Sequence, residues 1–65
     1  MRPHEQRVVD EHHVLNEKIV KLTTFIDTEQ FAALDPVDQE LLHEQRKVML
    51  EYSHILVARF TRFSA

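Results

Sequence analysis

From Leu41 to Phe63 the apolar residues recur at helical spacing, and the face they form is wider than one helix–helix contact can cover. At about 100° per residue, Leu41, Leu42, Val48, Met49, Ile55, Leu56, Phe60 and Phe63 fall within an arc of roughly 140°. Gln45, Tyr52 and Arg59 lie in the middle of that arc, at intervals of seven residues. A purely structural seam would carry Leu or Ile there. Any fold of this chain must therefore bury a broad face and account for the polar groups at its centre.

The rest of the composition narrows the choices. The chain has 65 residues, no Gly, no Cys and only two Pro. That suits helices and leaves nothing for hairpin turns or glycine-rich phosphate loops. A single domain, residues 1–65, is the expectation. A chain this short buries only about 60% of the surface it exposes when unfolded. It usually needs a disulfide, a metal or self-association. Without Cys, disulfides and thiolate metal sites are excluded, and obligate self-association is predicted. No apolar run approaches the roughly 20 residues of a bilayer span. The MRPHEQR start has no apolar core behind its basic residue, so it does not read as a secretory signal. An intracellular soluble protein with no membrane partner is expected. The formal net charge of −3 argues against general binding of DNA or RNA. A small anion held by a few placed cations stays open.

The predicted fold class is all-α: an antiparallel two-helix hairpin with a short helical turn at its tip, assembling into a compact homo-oligomer. The first helix is predicted from about residue 3 to 26, with Pro3 tolerated at the first position. Its seam is Val8, His12, Leu15, Ile19, Leu22 and Ile26, in steps of four and three. Val14 and Phe25 flank it on one side, Val9 and Val20 on the other. Asp27 or Thr28 can cap a brief turn within 28–34, whose Phe31 and Leu34 plug the tip. Asp35-Pro36-Val37-Asp38 is a helix start, so the second helix is predicted from residue 36 to about 63. One edge of its arc can meet the first helix, and the other must meet another copy.

Several constellations could carry chemistry. Glu40-x-x-His43 and Glu51-x-x-His54 have the spacing of carboxylate-bridged di-iron bundles. All four residues lie opposite the apolar face, and the pairs are about 16 Å apart along the axis. A solvated outer face is the better reading, and no metal or other cofactor is expected. His13 should face water. His12 in the seam is better explained as a hydrogen-bonded interface residue. Ser53 and Ser64 lack a visible Ser–His–Asp context, so no catalytic residue is assigned and an enzyme is not expected. Lys18 lies beside Phe25, Val14 and Glu11, where a surface lysine is ordinary. Arg59 falls inside the apolar arc and should be partly desolvated. It needs a carboxylate from another copy or an anionic ligand. Gln45 and Tyr52 fit an oligomer interface. Arg2, His4 and Arg7 form a small basic cluster at a helix start.

Taken together, Gln6-Arg7-Val8-Val9-x-Glu11, Leu15-x-x-Lys18-Ile19-x-x-Leu22-x-x-Phe25-Ile26, Phe31-x-x-Leu34 and the Leu41-to-Phe63 run with Gln45, Met49, Tyr52, Ser53 and Arg59 form an ordered set. The set resembles the small helical-hairpin domain of phage anti-CBASS cyclic-nucleotide sponges, which anti-Thoeris sponges share. The resemblance covers about residues 5–63. It implies a protein that is not an enzyme and that binds cyclic oligonucleotide second messengers of bacterial defence without turnover. It also implies a homohexamer with pockets between copies, in the cytoplasm of the infected host. By position, Lys18 matches the family lysine that contacts a cyclic dinucleotide, and Arg59 matches the arginine of a cyclic trinucleotide pocket. The family aromatic near the N-terminus is missing here. His4 could stack on a base in its place, with Arg2 and Arg7 near phosphate. The alternative is a structural or protein-interaction helical oligomer with no small-molecule ligand.

Overall fold

The structure, a computed structural model, describes residues 2–63. It contains three helices: α1 (Pro3–Ile26), α2 (Glu29–Ala32) and α3 (Pro36–Thr61). Every regular element among the described residues is helical, and the two long helices pack together. They run antiparallel, because their cross-links descend on one helix as they rise on the other: His12 with Ser53, then Thr23 with Arg46. The result is a rod of 47 × 15 × 14 Å.

Local chemistry explains the boundaries. Pro3 opens α1, and the Glu5 carboxylate accepts a hydrogen bond from the Arg2 backbone N–H at 3.0 Å. At the other end, Thr28 rather than Asp27 provides the cap. Its hydroxyl donates to the Phe25 carbonyl at 2.6 Å and accepts from the Phe31 N–H at 3.2 Å. One side chain thus closes α1 and starts α2. Asp35 accepts from the Val37 N–H at 2.9 Å ahead of Pro36. Gln39 then donates to the Leu34 and Ala32 carbonyls at 2.9 and 3.2 Å, latching the connection to α3. Asp35→Ala should lower stability by about 1 kcal/mol. Urea unfolding followed by helical circular dichroism checks this, and an unchanged midpoint would show the cap to be idle.

The second helix is expected to close at about residue 63, and α3 closes at Thr61 because the chain tightens there. The Arg62 and Phe63 N–H groups bond to the Arg59 and Phe60 carbonyls three residues back, at 3.2 and 2.9 Å. Phe63 still packs on the core.

That core is Val8, Leu15, Ile19 and Leu56, with Met49, Leu50, Phe60 and Phe63 packed against it. At the tip, Phe31 is buried and meets Phe25 and His43 edge-on, with ring centroids 6.1 and 5.3 Å apart. Leu34 is half-buried beside it, so the tip is plugged. His12 is half-buried in the seam, with Nε2 3.2 Å from the Ser53 hydroxyl and its ring edge-on to Phe60 at 5.0 Å.

α3 turns a different part of its arc inward than the arc's centre. Leu56 is fully buried, whereas Leu41, Val48 and Ile55 stay 62%, 53% and 57% exposed. The antiparallel layout also sorts charge along the rod. Arg2 and Arg7 share one end with Arg59 and Arg62, and Asp27, Glu29, Asp35 and Asp38 gather at the tip.

Candidate functional site

The uncovered edge of α3 has a regular construction. Leu41, Gln45, Val48, Tyr52, Ile55 and Arg59 are all exposed and follow one another in steps of four and three. That is the spacing of a helix seam that meets a neighbour. Apolar residues at this spacing stay in water only at a cost of roughly 25 cal/mol per Å².

Tyr52 joins this edge to α1. Its hydroxyl donates to the Glu11 carboxylate across the helix pair. The Glu11 hydrogen bond pushes the phenol's pKa above the usual tyrosine value, while the positive charge of Arg59 pulls the other way. Tyr52 therefore stays a neutral donor at physiological pH, between an acid and a base. Beside it, a groove of about 350 Å³ is lined by Asp10, Glu11, Val14, Leu15, Lys18 and Tyr52. Another hollow, of about 520 Å³, lies on α3 near the tip, lined by Val37, Glu40, Leu41, His43, Glu44 and Lys47.

Among the described residues, the one ion pair is His13 with Glu17 at 3.4 Å, and it exists only when His13 is protonated. Among the described residues every Lys and Arg, with Lys18 and Arg59 among them, therefore stands without a carboxylate within ion-pair distance, and Lys18 and Arg59 are both exposed. Lys18 lines the groove directly. Arg59 is exposed in the single chain, so the partial desolvation read from its place in the arc requires a second copy. Arg2, His4 and Arg7 are exposed at the start of α1. Eleven helical residues, about 16 Å of rise, separate Arg7 from Lys18. Arg7 is nevertheless only one helical turn from Asp10 and Glu11, so it stands near the acidic end of the groove and far from its Lys18 end, and Arg2 and His4 lie farther out.

Glu40, His43, Glu51 and His54 are exposed. Among the described residues no three His, Cys, Asp or Glu side chains gather as a metal site. Ser53 meets His12, but no carboxylate stands within ion-pair distance of that ring among the described residues. Ser64 lies outside the described residues. Gln45 bonds only weakly, to the Met49 sulfur at 3.8 Å. Three cross-helix pairs were not foreseen: Glu11 with Tyr52, His12 with Ser53, and Thr23 with Arg46, whose Nε donates at 2.8 Å. Each joins residues more than twenty apart, so only the register of the hairpin reveals them. Among the described residues no helix is long and apolar enough to cross a membrane.

The model of the Sequestin family matches residues 2–62. No curated protein and no solved structure matches the chain.

Proposed function

Because the chain belongs to the Sequestin family, whose name denotes a sequestering protein, we propose that it captures cyclic oligonucleotide second messengers of CBASS-type bacterial defence and holds them without turnover. It acts in the cytoplasm of a phage-infected host, as a homohexamer whose pockets lie between copies. Lys18 contacts a cyclic dinucleotide, together with Arg2, His4 and Arg7. Arg59 contacts a cyclic trinucleotide. The observation that carries this reading is the placement of two exposed cations about Tyr52: Lys18 lines the same groove, and the charge of Arg59 acts on the phenol. Symmetry repeats each one around an axis, placing a cation at each phosphate of a compact polyanion without making the chain basic overall. The overall charge of −3 is then compatible with anion capture.

Titration calorimetry against cyclic di- and trinucleotides tests this. Arg59→Ala should weaken trinucleotide binding at least a hundredfold and leave dinucleotide binding within about threefold, and Lys18→Ala should do the reverse. The factor follows from losing a charge-assisted contact of about 1.5–3 kcal/mol in each copy around a shared ligand. A silent panel with intact protein would sink the reading. It would favour a structural or protein-interaction oligomer, for which the exposed apolar edge of α3 is the motivating observation.

A further inference from the structure

We propose that the Lys18 groove is a half-site for one guanine nucleotide, in which Tyr52 is the stacking platform and Glu11 is the acceptor that reads the base. The inference rests on the cyclic-oligonucleotide reading and deepens it.

Size and lining set the ligand fragment. About 350 Å³ is at the small end of ligand pockets. It accommodates one nucleotide, and the rest of a cyclic ligand must lie outside it. Val14 and Leu15 provide an apolar floor, and Tyr52, 37% exposed, provides a ring. The phenol's bond to Glu11 fixes how that ring stands. A fixed aromatic ring beside an apolar floor suits a flat base, whichever base it is.

The charges set direction. The groove holds one ammonium, Lys18, and two carboxylates, Asp10 and Glu11. Among the side chains that line the groove, a phosphate is repelled by the acidic end and attracted to Lys18, while Arg7 and Arg59 act from outside the lining. Glu11 and Lys18 are seven residues apart on α1, about 10 Å of rise. That is comparable to the length of a purine nucleotide from its pairing edge to its phosphate. The base edge therefore faces Glu11.

Donor and acceptor supply set the base. Asp10 already accepts from the Gln6 amide at 2.9 Å. Glu11 accepts the Tyr52 hydroxyl and keeps further lone pairs free, since a carboxylate has about four acceptor positions. The donors lining the groove are committed: Lys18 to phosphate, and the Tyr52 hydroxyl to Glu11. A base that offers only N–H groups along its edge fits this supply. Guanine presents two neighbouring donors on its pairing edge. Adenine presents one donor and one acceptor, and its acceptor would face a carboxylate. The preference is therefore guanine over adenine.

Calorimetry with cyclic di-GMP, cyclic GMP–AMP and cyclic di-AMP tests the inference on the full-length protein. The native protein should bind them with affinity falling in that order. Tyr52→Ala should weaken binding of the first about five- to 150-fold, the range for loss of one base–aromatic stack. Tyr52→Phe keeps the ring and should stay within about threefold. Glu11→Gln should remove the guanine preference, because the amide offers a donor where a second acceptor is needed. Unchanged helical circular dichroism shows that each variant is folded. Equal affinity for the three ligands, or a guanine preference that survives Glu11→Gln, overturns the inference and leaves sequestration standing. Failure to bind any of the three overturns both the inference and the dinucleotide part of the proposed function.

Discussion

Leu56→Ala is expected to remove about 2–5 kcal/mol of stability. Leu56 is fully buried and packs among Val8, Leu15 and Ile19, so truncation leaves a void that a two-helix contact cannot close from another side. For a domain of this length the total stability is itself only about 3–10 kcal/mol. The variant should therefore lose most of its helical signal well below the native melting temperature. Val57→Ala, one residue along and 40% exposed, is the control and should shift little. Thermal and urea melts of both variants decide the matter. Equal losses would mean that the seam on α1 does not carry the fold.

A second large effect is expected on the opposite edge of the same helix. The double substitution Val48→Glu with Ile55→Glu should leave α3 helical and separate the copies. Both residues are more than half exposed in the single chain, so neither contributes to the fold of one hairpin. In the proposed assembly they are covered, and two carboxylates per copy would have to be buried without partners, a cost of several kcal/mol per charge. Light scattering should give the mass of one chain, and binding of a cyclic trinucleotide at Arg59 should disappear with the assembly. An oligomer of native mass would remove this edge from the contact between copies.

Much of the architecture could be read from a handful of residues. Pro3, Thr28 and the Asp35-Pro36 pair mark helix starts because capping chemistry is local. The steps of four and three through Val8, Leu15 and Ile19 mark the face of α1 that is buried. The close of α3 was less legible. Phe63 continues the apolar pattern, but backbone bonds three residues back end the helix at Thr61. The direction in which α3 presents its wide arc was hidden as well. Periodicity places Leu41 and Leu56 in one arc, and packing against α1 buries only the second. The groove was the least legible part. Lys18 was singled out, yet its companions Glu11 and Tyr52 are 41 residues apart in sequence, and a single chain's pattern carries no signal for that pairing.

The sorting of charge along the rod has a kinetic consequence. Arg2, Arg7, Arg59 and Arg62 sit at the open end, and the acidic tip lies at the far end of a 47 Å molecule. Fields from the two ends are separated by several Debye lengths at physiological salt, about 8 Å each, so they act on an approaching anion almost independently. A diffusing polyanion is turned away from the tip and drawn to the arginine end before it touches any pocket. Under the proposed function, capture is then expected to be fast at low ionic strength and to slow as salt rises, while release, governed by contacts inside the pocket, should change much less.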